Sequence, residues 1–293
     1  MRTIFFICFI CTSTTMFAQD DLLSMVEKEE NKKEYISSAF KSSRVVNGHS
    51  MEFIGKGVLD VRILHRFGTI NSGVDNLYGL DQAAFRLGFD YGLGKSLTIG
   101  MGRSTTLGKD LDGFIKYRPI WQAKGGKGAS PVSVVLVTGM TYATAPWTDT
   151  SRENFTSSRM AYYSEIIIGR KFNEWVSLQL TPTFVHRNLV ELASEANDVF
   201  ALGVGGRIKI THRTAFVIDY SYVFSGLDKS VYKDPLSLGF DIETGGHVFQ
   251  LHFSNALGMN EKTFLTKTTN SWGKGEIRFG FNLSRVFTVY RGK

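Results

Sequence analysis

From Lys56 onward the chain alternates apolar and polar residues with a period of two, as strands do when their two faces meet different surroundings. Twelve such segments can be marked, at 57–67, 82–91, 95–103, 110–120, 131–142, 158–170, 174–186, 197–210, 213–224, 235–242, 245–255 and 275–289. The links between them take turns in length. Short ones sit at 92–94, 171–173, 211–212 and 242–244, with a medium one near 125–130. Long ones sit at 68–81, 104–109, 143–157, 187–196, 225–234 and 256–274. A transmembrane barrel alternates in this way, with short turns at one rim and long loops at the other, and its strand number is usually even. A soluble sandwich has no reason to do so. The pattern predicts an all-β fold over 56–293: an antiparallel up-and-down transmembrane β-barrel of about 12 strands.

One parity of each strand is apolar: Phe85, Leu87 and Phe89 in the second segment, Phe216, Ile218, Tyr220 and Tyr222 in the ninth, Ile277, Phe279, Phe281 and Leu283 in the last. Tyr142, Trp175, Tyr222 and Tyr290 fall near strand ends, where an interfacial ring satisfies both its apolar body and its polar tip. The other parity is Gly, Ser, Thr and charge. It carries Arg62, Arg66, Arg86, Lys116, Arg118, Arg159, Arg207, Lys209 and Arg278 against Asp60, Asp90, Asp112, Glu165, Asp219, Asp241 and Glu276. A charge on the lipid face would cost about 2–4 kcal/mol at mid-depth, so this set is expected in the lumen.

The first residues read differently. Arg2 is followed by an apolar run from Ile4 to Ile10, and a small residue, Ala18, precedes Gln19-Asp20. This predicts a cleaved signal peptide over 1–18, because the run is too short to span a bilayer as a helix. Both cysteines, Cys8 and Cys11, lie inside it, so the mature chain is expected to hold no disulfide, thiolate nucleophile or zinc–sulfur site. Residues 19–55 are expected to form a periplasmic leader, helical or extended, or else a plug segment. Within them DDLLSMVEKEENKKEY at 20–35 is highly charged, and 36–47 reads as a short strand before an Asn47-Gly48 turn.

Composition narrows the choice further. Gly 30 against Pro 5 suits a barrel, and 43% hydrophobic residues exclude a disordered chain. Mean hydropathy is −0.07, too polar for a helical membrane protein. The net charge of +7 falls to +6 without Arg2, and no Lys/Arg-rich run suggests nucleic acid.

Several stretches point to one family: RVVNGHSMEF at 44–53, HRFGTINSG at 65–73, LYGLDQAAFRLGFDYGL at 77–93, TPTFVHRNLV at 181–190, NDVFALGVGGR at 197–207 and LGFDIETGGHVFQLHFSNALGM at 238–259. They resemble the DUF5777 family of Bacteroidota outer-membrane β-barrel proteins, of unknown function, from about Phe40 to Phe287. The resemblance implies a barrel in the cell outer membrane and no particular chemistry.

Candidate chemistry is sparse. Gly94-Lys95-Ser96 lacks the earlier glycine of a phosphate loop, since Phe89 stands there, and reads as a hairpin turn. No histidine spacing suggests a metal, and no EF-hand spacing a calcium site. His252-Phe253-Ser254-Asn255 is similar to the His/Ser pattern of an outer-membrane phospholipase barrel, but the register turns His252 and Ser254 into the lumen, away from lipid. Gln250 shares that face. No catalytic residue, metal or cofactor is therefore expected. Asp60, Arg62, Arg86, Asp90, Arg118, Arg207, Asp219, Glu276 and Arg278 are expected to pair across the interior and constrict it. The reading is a narrow channel or transport barrel for small solutes. Its alternatives are a non-conducting scaffold or sheath for a periplasmic or surface partner and, more remotely, a lipid hydrolase. Outer-membrane lipid, the barrel-assembly machinery and a small solute or periplasmic protein are the expected partners.

Overall fold

The computed structural model describes residues 32–106, 108–147, 149–151, 153–191 and 195–290. The expected signal peptide and most of the charged leader lie outside the described residues. Twelve antiparallel strands close on themselves: β1 (Val58–Thr69), β2 (Ala83–Gly92), β3 (Leu97–Ser104), β4 (Asp110–Ile120), β5 (Ser133–Ala143), β6 (Met160–Lys171), β7 (Val176–Arg187), β8 (Asp198–Lys209), β9 (Thr214–Ser225), β10 (Leu236–Thr244), β11 (His247–Ser254) and β12 (Arg278–Thr288). Each pairs with its neighbour in sequence. β12 returns to β1, with Leu283 opposite Ile63 and a register shift near Arg278, so the sheet has no open edge. Every strand falls within a few residues of a segment marked by the alternation. Among the described residues no helix is long and apolar enough to cross a membrane.

The apolar parity faces outward. Ile115, Leu136, Ile166, Leu178 and Leu180 are all more than two-fifths exposed. An apolar band around a whole barrel far exceeds the patches that soluble monomers expose, and it matches a hydrocarbon surround. The inner parity is buried but not uniformly polar. Phe114, Val135, Val137, Tyr163, Ile167, Val185 and Val199, from β4 to β8, form an inner apolar wall that the alternation does not forecast. The charges concentrate on β1 to β4.

Residues 36–47 do not form the short strand expected from the sequence. The chain runs from a two-residue strand, Glu34–Tyr35, paired with Ala123–Lys124 at the short-turn rim, into the lumen. There it makes a tight hairpin. Ser50 N donates to Ser43 O at 3.0 Å, Arg44 bridges His49, and Val45 N donates to Gly48 O at 2.9 Å across the Asn47-Gly48 turn. It returns to the same rim to begin β1. Phe40, Val45 and Met51 pack on the inner apolar wall. Inner-face glycines make the room: a Cβ at Gly169 would collide with Met51 Sδ, and one at Gly102 with the Arg86 guanidinium.

A second segment enters from the opposite rim. The β11–β12 connection folds inward and forms a six-residue helix, α1 (Glu261–Thr266), capped by the Asn260 side chain on Thr263 N at 2.9 Å. Its Phe264 and Leu265 join the same apolar cluster.

Candidate functional site

The lumen and what fills it are the feature most open to functional reading. The hairpin tip has few partners of its own, and the wall supplies them. Asp219, on β9, accepts three consecutive backbone N–H groups through Oδ2: Val46 at 3.2 Å, Asn47 at 2.7 Å and Gly48 at 3.0 Å. A carboxylate held by successive amides is strongly bound because its charge strengthens each bond. The tip carbonyls are met as well. Gln250 Nε2 donates to Val45 O at 2.6 Å, and Asn282 Nδ2 donates to Val46 O at 3.1 Å. Arg66 reaches Asn47 Oδ1 at 2.6 Å.

The two arms are held from other strands. Lys116 donates to Ser43 O at 3.2 Å and Glu52 O at 2.6 Å, and Arg118 donates to Met51 O. Gln179 spans the returning arm, giving Nε2 to His49 O at 2.7 Å and taking Met51 N on Oε1 at 2.9 Å. Buried backbone groups of the hairpin thus find side-chain partners on the wall. Val46 and Ser50 are fully buried.

The residues expected to pair across the interior have more varied partners. Arg62 lies 3.4 Å from Asp60, two residues away on one strand, and also donates to Ser43 Oγ at 2.6 Å and Ser42 Oγ at 2.8 Å. Asp60 accepts from Ser284 Oγ at 2.6 Å. Arg86 forms a two-pronged pair with Asp112, with Nε to Oδ1 at 2.9 Å. Asp90 accepts from Ser43 Oγ at 3.2 Å, and Arg207 reaches Ala39 O at 3.5 Å. Gln250 also donates to Asp241 at 2.6 Å. Two residues stand apart from this group. Glu276 lies in the loop before β12 and accepts from Ser271 N at 2.8 Å; Arg278 starts β12 and donates to Phe67 O at 3.2 Å. The partners differ from the expected ones for a physical reason. A hairpin filling the lumen brings backbone amides and carbonyls closer to the wall charges than the opposite wall could be.

His252 and Ser254 both face inward. Ser254 Oγ bonds Ser237 Oγ at 2.7 Å, while neither ring nitrogen of His252 meets a partner, so no hydrogen bond joins the two as base and nucleophile.

Sequence reasoning missed the pair that joins the two inserted segments. Arg44 Nη1, on the hairpin, meets Glu261 Oε1, on α1, at 2.7 Å, both side chains being almost fully buried. Nothing in their spacing marks them, since 217 positions separate them. Lys116, Gln179 and Asn282 were readable only as inward-facing polar positions.

His49, Glu165 and Glu261 bring ligand atoms within 4.8 Å of one another, which raises the question of a metal. They fit one poorly. Arg44 already sits on Glu261, and its Nη2 lies 3.4 Å from His49 Nε2, so the guanidinium is the cation of this site.

The cavities follow this arrangement. One of about 490 Å³ opens at the long-loop end beside Trp147, Arg159, Lys262 and Lys267. Another of about 430 Å³ opens at the short-turn end beside Lys41, Glu52, Phe53 and Glu243. Beside the hairpin turn, between His49, Glu165, Gln179 and Asp219, a void of about 10 Å³ remains, hardly more than one water needs.

A family model described as a membrane bound beta barrel domain, DUF5777, matches residues 40–287. No curated protein sequence matches the chain. Among solved structures, the chain is similar to the COG4313 outer membrane channel from Pseudomonas putida F1, at 13% identity and a TM-score of 0.45, covering 80% of this chain and 97% of that one. It is also similar to the outer membrane protein Omp33 of Acinetobacter baumannii, at 6% identity and a TM-score of 0.42, covering 78% and 97%. The translocator domain of the autotransporter NalP from Neisseria meningitidis aligns at 12% identity and a TM-score of 0.37, covering 92% and 95%.

Proposed function

We propose, from the premise that this chain belongs to the DUF5777 family of membrane-bound β-barrel domains, that it is an outer-membrane barrel closed at rest by its own N-terminal hairpin. Small solutes pass when that hairpin leaves the lumen. The outer-membrane placement is supported by the signal-like N-terminus and by the alternation of short turns with long loops. The short-turn rim then faces the periplasm. The observation that carries gating is the pair of cavities, about 490 and 430 Å³, with the clamped hairpin between them. The hairpin is continuous with the chain that leaves at the short-turn rim, so a pull from that side acts directly on it. A lumen without the hairpin would be lined by Arg62, Arg86, Lys116 and Arg118 on one wall and by apolar residues on the other, with α1 still seated against the apolar wall toward the long-loop rim.

A second reading has its own observation. The buried Arg44–Glu261 pair ties the hairpin to a segment entering from the other rim, as a permanent seal would require. The barrel would then be a non-conducting scaffold.

Liposome swelling in small sugars separates the two. Liposomes carrying the intact protein should swell no faster than empty ones, and those carrying a chain truncated before Lys56 should swell readily. A truncated barrel that still shows the gel-mobility shift on boiling but admits no sugar would favour the scaffold. Swelling with the intact protein would overturn closure at rest.

A further inference from the structure

The two rims differ sharply in charge. The short-turn rim comprises residues 32–35, 54–57, 92–97, 120–132, 170–176, 208–214, 242–248 and 285–290, and it carries eleven Lys and Arg against three Asp and Glu. Among the described residues the long-loop rim comprises 69–83, 105–106, 108–110, 143–147, 149–151, 153–160, 187–191, 195–198, 225–236 and 254–278, and it carries nine against twelve. The short-turn rim thus nets +8 and the long-loop rim −3 among the described residues.

Some of these cations sit over aromatic rings at the outer edge of the barrel. Arg170 lies 5.1 Å from the Phe172 ring, Lys209 5.8 Å from Trp175, and Arg285 4.9 Å from Phe287. Trp175 and Phe172 are more than half exposed. Aromatic rings at a barrel end mark the bilayer interface, where the ring stays in the acyl boundary and the polar group reaches headgroups. Arg170 and Arg285, on the outer parity of their strands, are therefore placed at headgroup depth by the ring beneath them, and Lys209 joins them at the rim over Trp175.

We propose that the short-turn rim is a binding collar for anionic phospholipids, with lipid phosphates held by Arg170, Lys209, Arg285 and the neighbouring turn lysines. This rests on the barrel spanning a bilayer and is independent of whether it conducts. Cations at this depth attract anionic headgroups additively, and the attraction falls with salt. A compact acidic protein would meet the lysines of the turns, such as Lys95 and Lys127, whereas Arg170 and Arg285 lie on the outward parity of their strands and face the lipid; Lys209 shares the inward parity of Arg207 and reaches the rim beside Trp175.

The test is native mass spectrometry of the full-length protein in micelles doped with equal phosphatidylglycerol and phosphatidylcholine. The unmodified barrel should retain several-fold more phosphatidylglycerol. The triple variant Arg170→Gln, Lys209→Gln, Arg285→Gln should lose most of that preference while keeping its gel-mobility shift on boiling. The double variant Lys229→Glu, Lys274→Glu at the opposite rim should keep it. Equal retention of the two lipids by the unmodified protein overturns the proposal. So does a preference that survives the triple variant, which would leave the end-on lysines and an acidic protein partner as the better account.

Discussion

Replacing Arg44 by Met should free the hairpin from the lumen more effectively than any other single change on it. The substitution keeps much of the side-chain volume over Phe114, 5.7 Å from the guanidinium, but leaves Glu261 buried without its cation. Removing one partner of a buried ion pair costs about 3–5 kcal/mol, since the remaining charge is neither paired nor solvated. The docked state alone bears that cost, because a released α1 exposes Glu261 to water. The population with the hairpin out should rise by roughly two to three and a half orders of magnitude. Limited proteolysis reads it: cleavage within 36–55 should accelerate by a comparable factor while the strands stay uncut, provided opening is fast relative to cleavage. The double variant Arg44→Met, Glu261→Leu removes both charges and should recover most of the protection. A double variant as sensitive as the single one would show that Arg44 acts through its bond to Asn47 O, at 2.7 Å, and not through Glu261.

Asp219→Ala should act on the same equilibrium from the wall. Three consecutive buried amides lose their acceptor, and each unsatisfied buried donor costs about 1–3 kcal/mol. Partial relaxation of the turn toward Ser237 or Asn282 would recover some of this, so about 3 kcal/mol is a reasonable expectation. Planar-bilayer recording should then show brief openings that the unmodified barrel lacks. Asp219→Asn keeps a carbonyl acceptor without the charge and should fall between the two. An alanine variant as silent as the parent would mean that the tip is held by Gln250, Asn282 and Arg66 alone.

The barrel was legible because its physics is repetitive. A strand facing lipid on one side and polar groups on the other must alternate, and that alternation located β1 to β12 and their facing without an alignment. The hairpin was not legible, because residues 39–51 bury both sides at once: Val46 and Met51 meet the wall, and so do Ser43, Arg44 and Asn47. No period marks a segment wrapped on all sides. The Asn47-Gly48 turn was visible as a turn, but not that Asp219, 172 positions away, would bind it. Inward facing could be assigned to Arg62, Arg86 and Asp219 from parity. Their partners could not, because parity gives the face of a side chain and says nothing of what stands opposite. Glu276 shows the limit at strand ends: the alternation starts the last strand at 275, the strand starts at Arg278, and that difference moves a charge from the lumen into a loop.

Hydrogen exchange at the hairpin tip tests the central claim most directly. In the intact protein the amides of Val46, Asn47 and Gly48 on Asp219, and of Met51 on Gln179 Oε1, should exchange as slowly as those of β8 and β9, over hours or longer. Exchange of these amides within seconds, at the rate of an unprotected peptide and with the strands still protected, would contradict a lumen closed by the chain's own N-terminal segment.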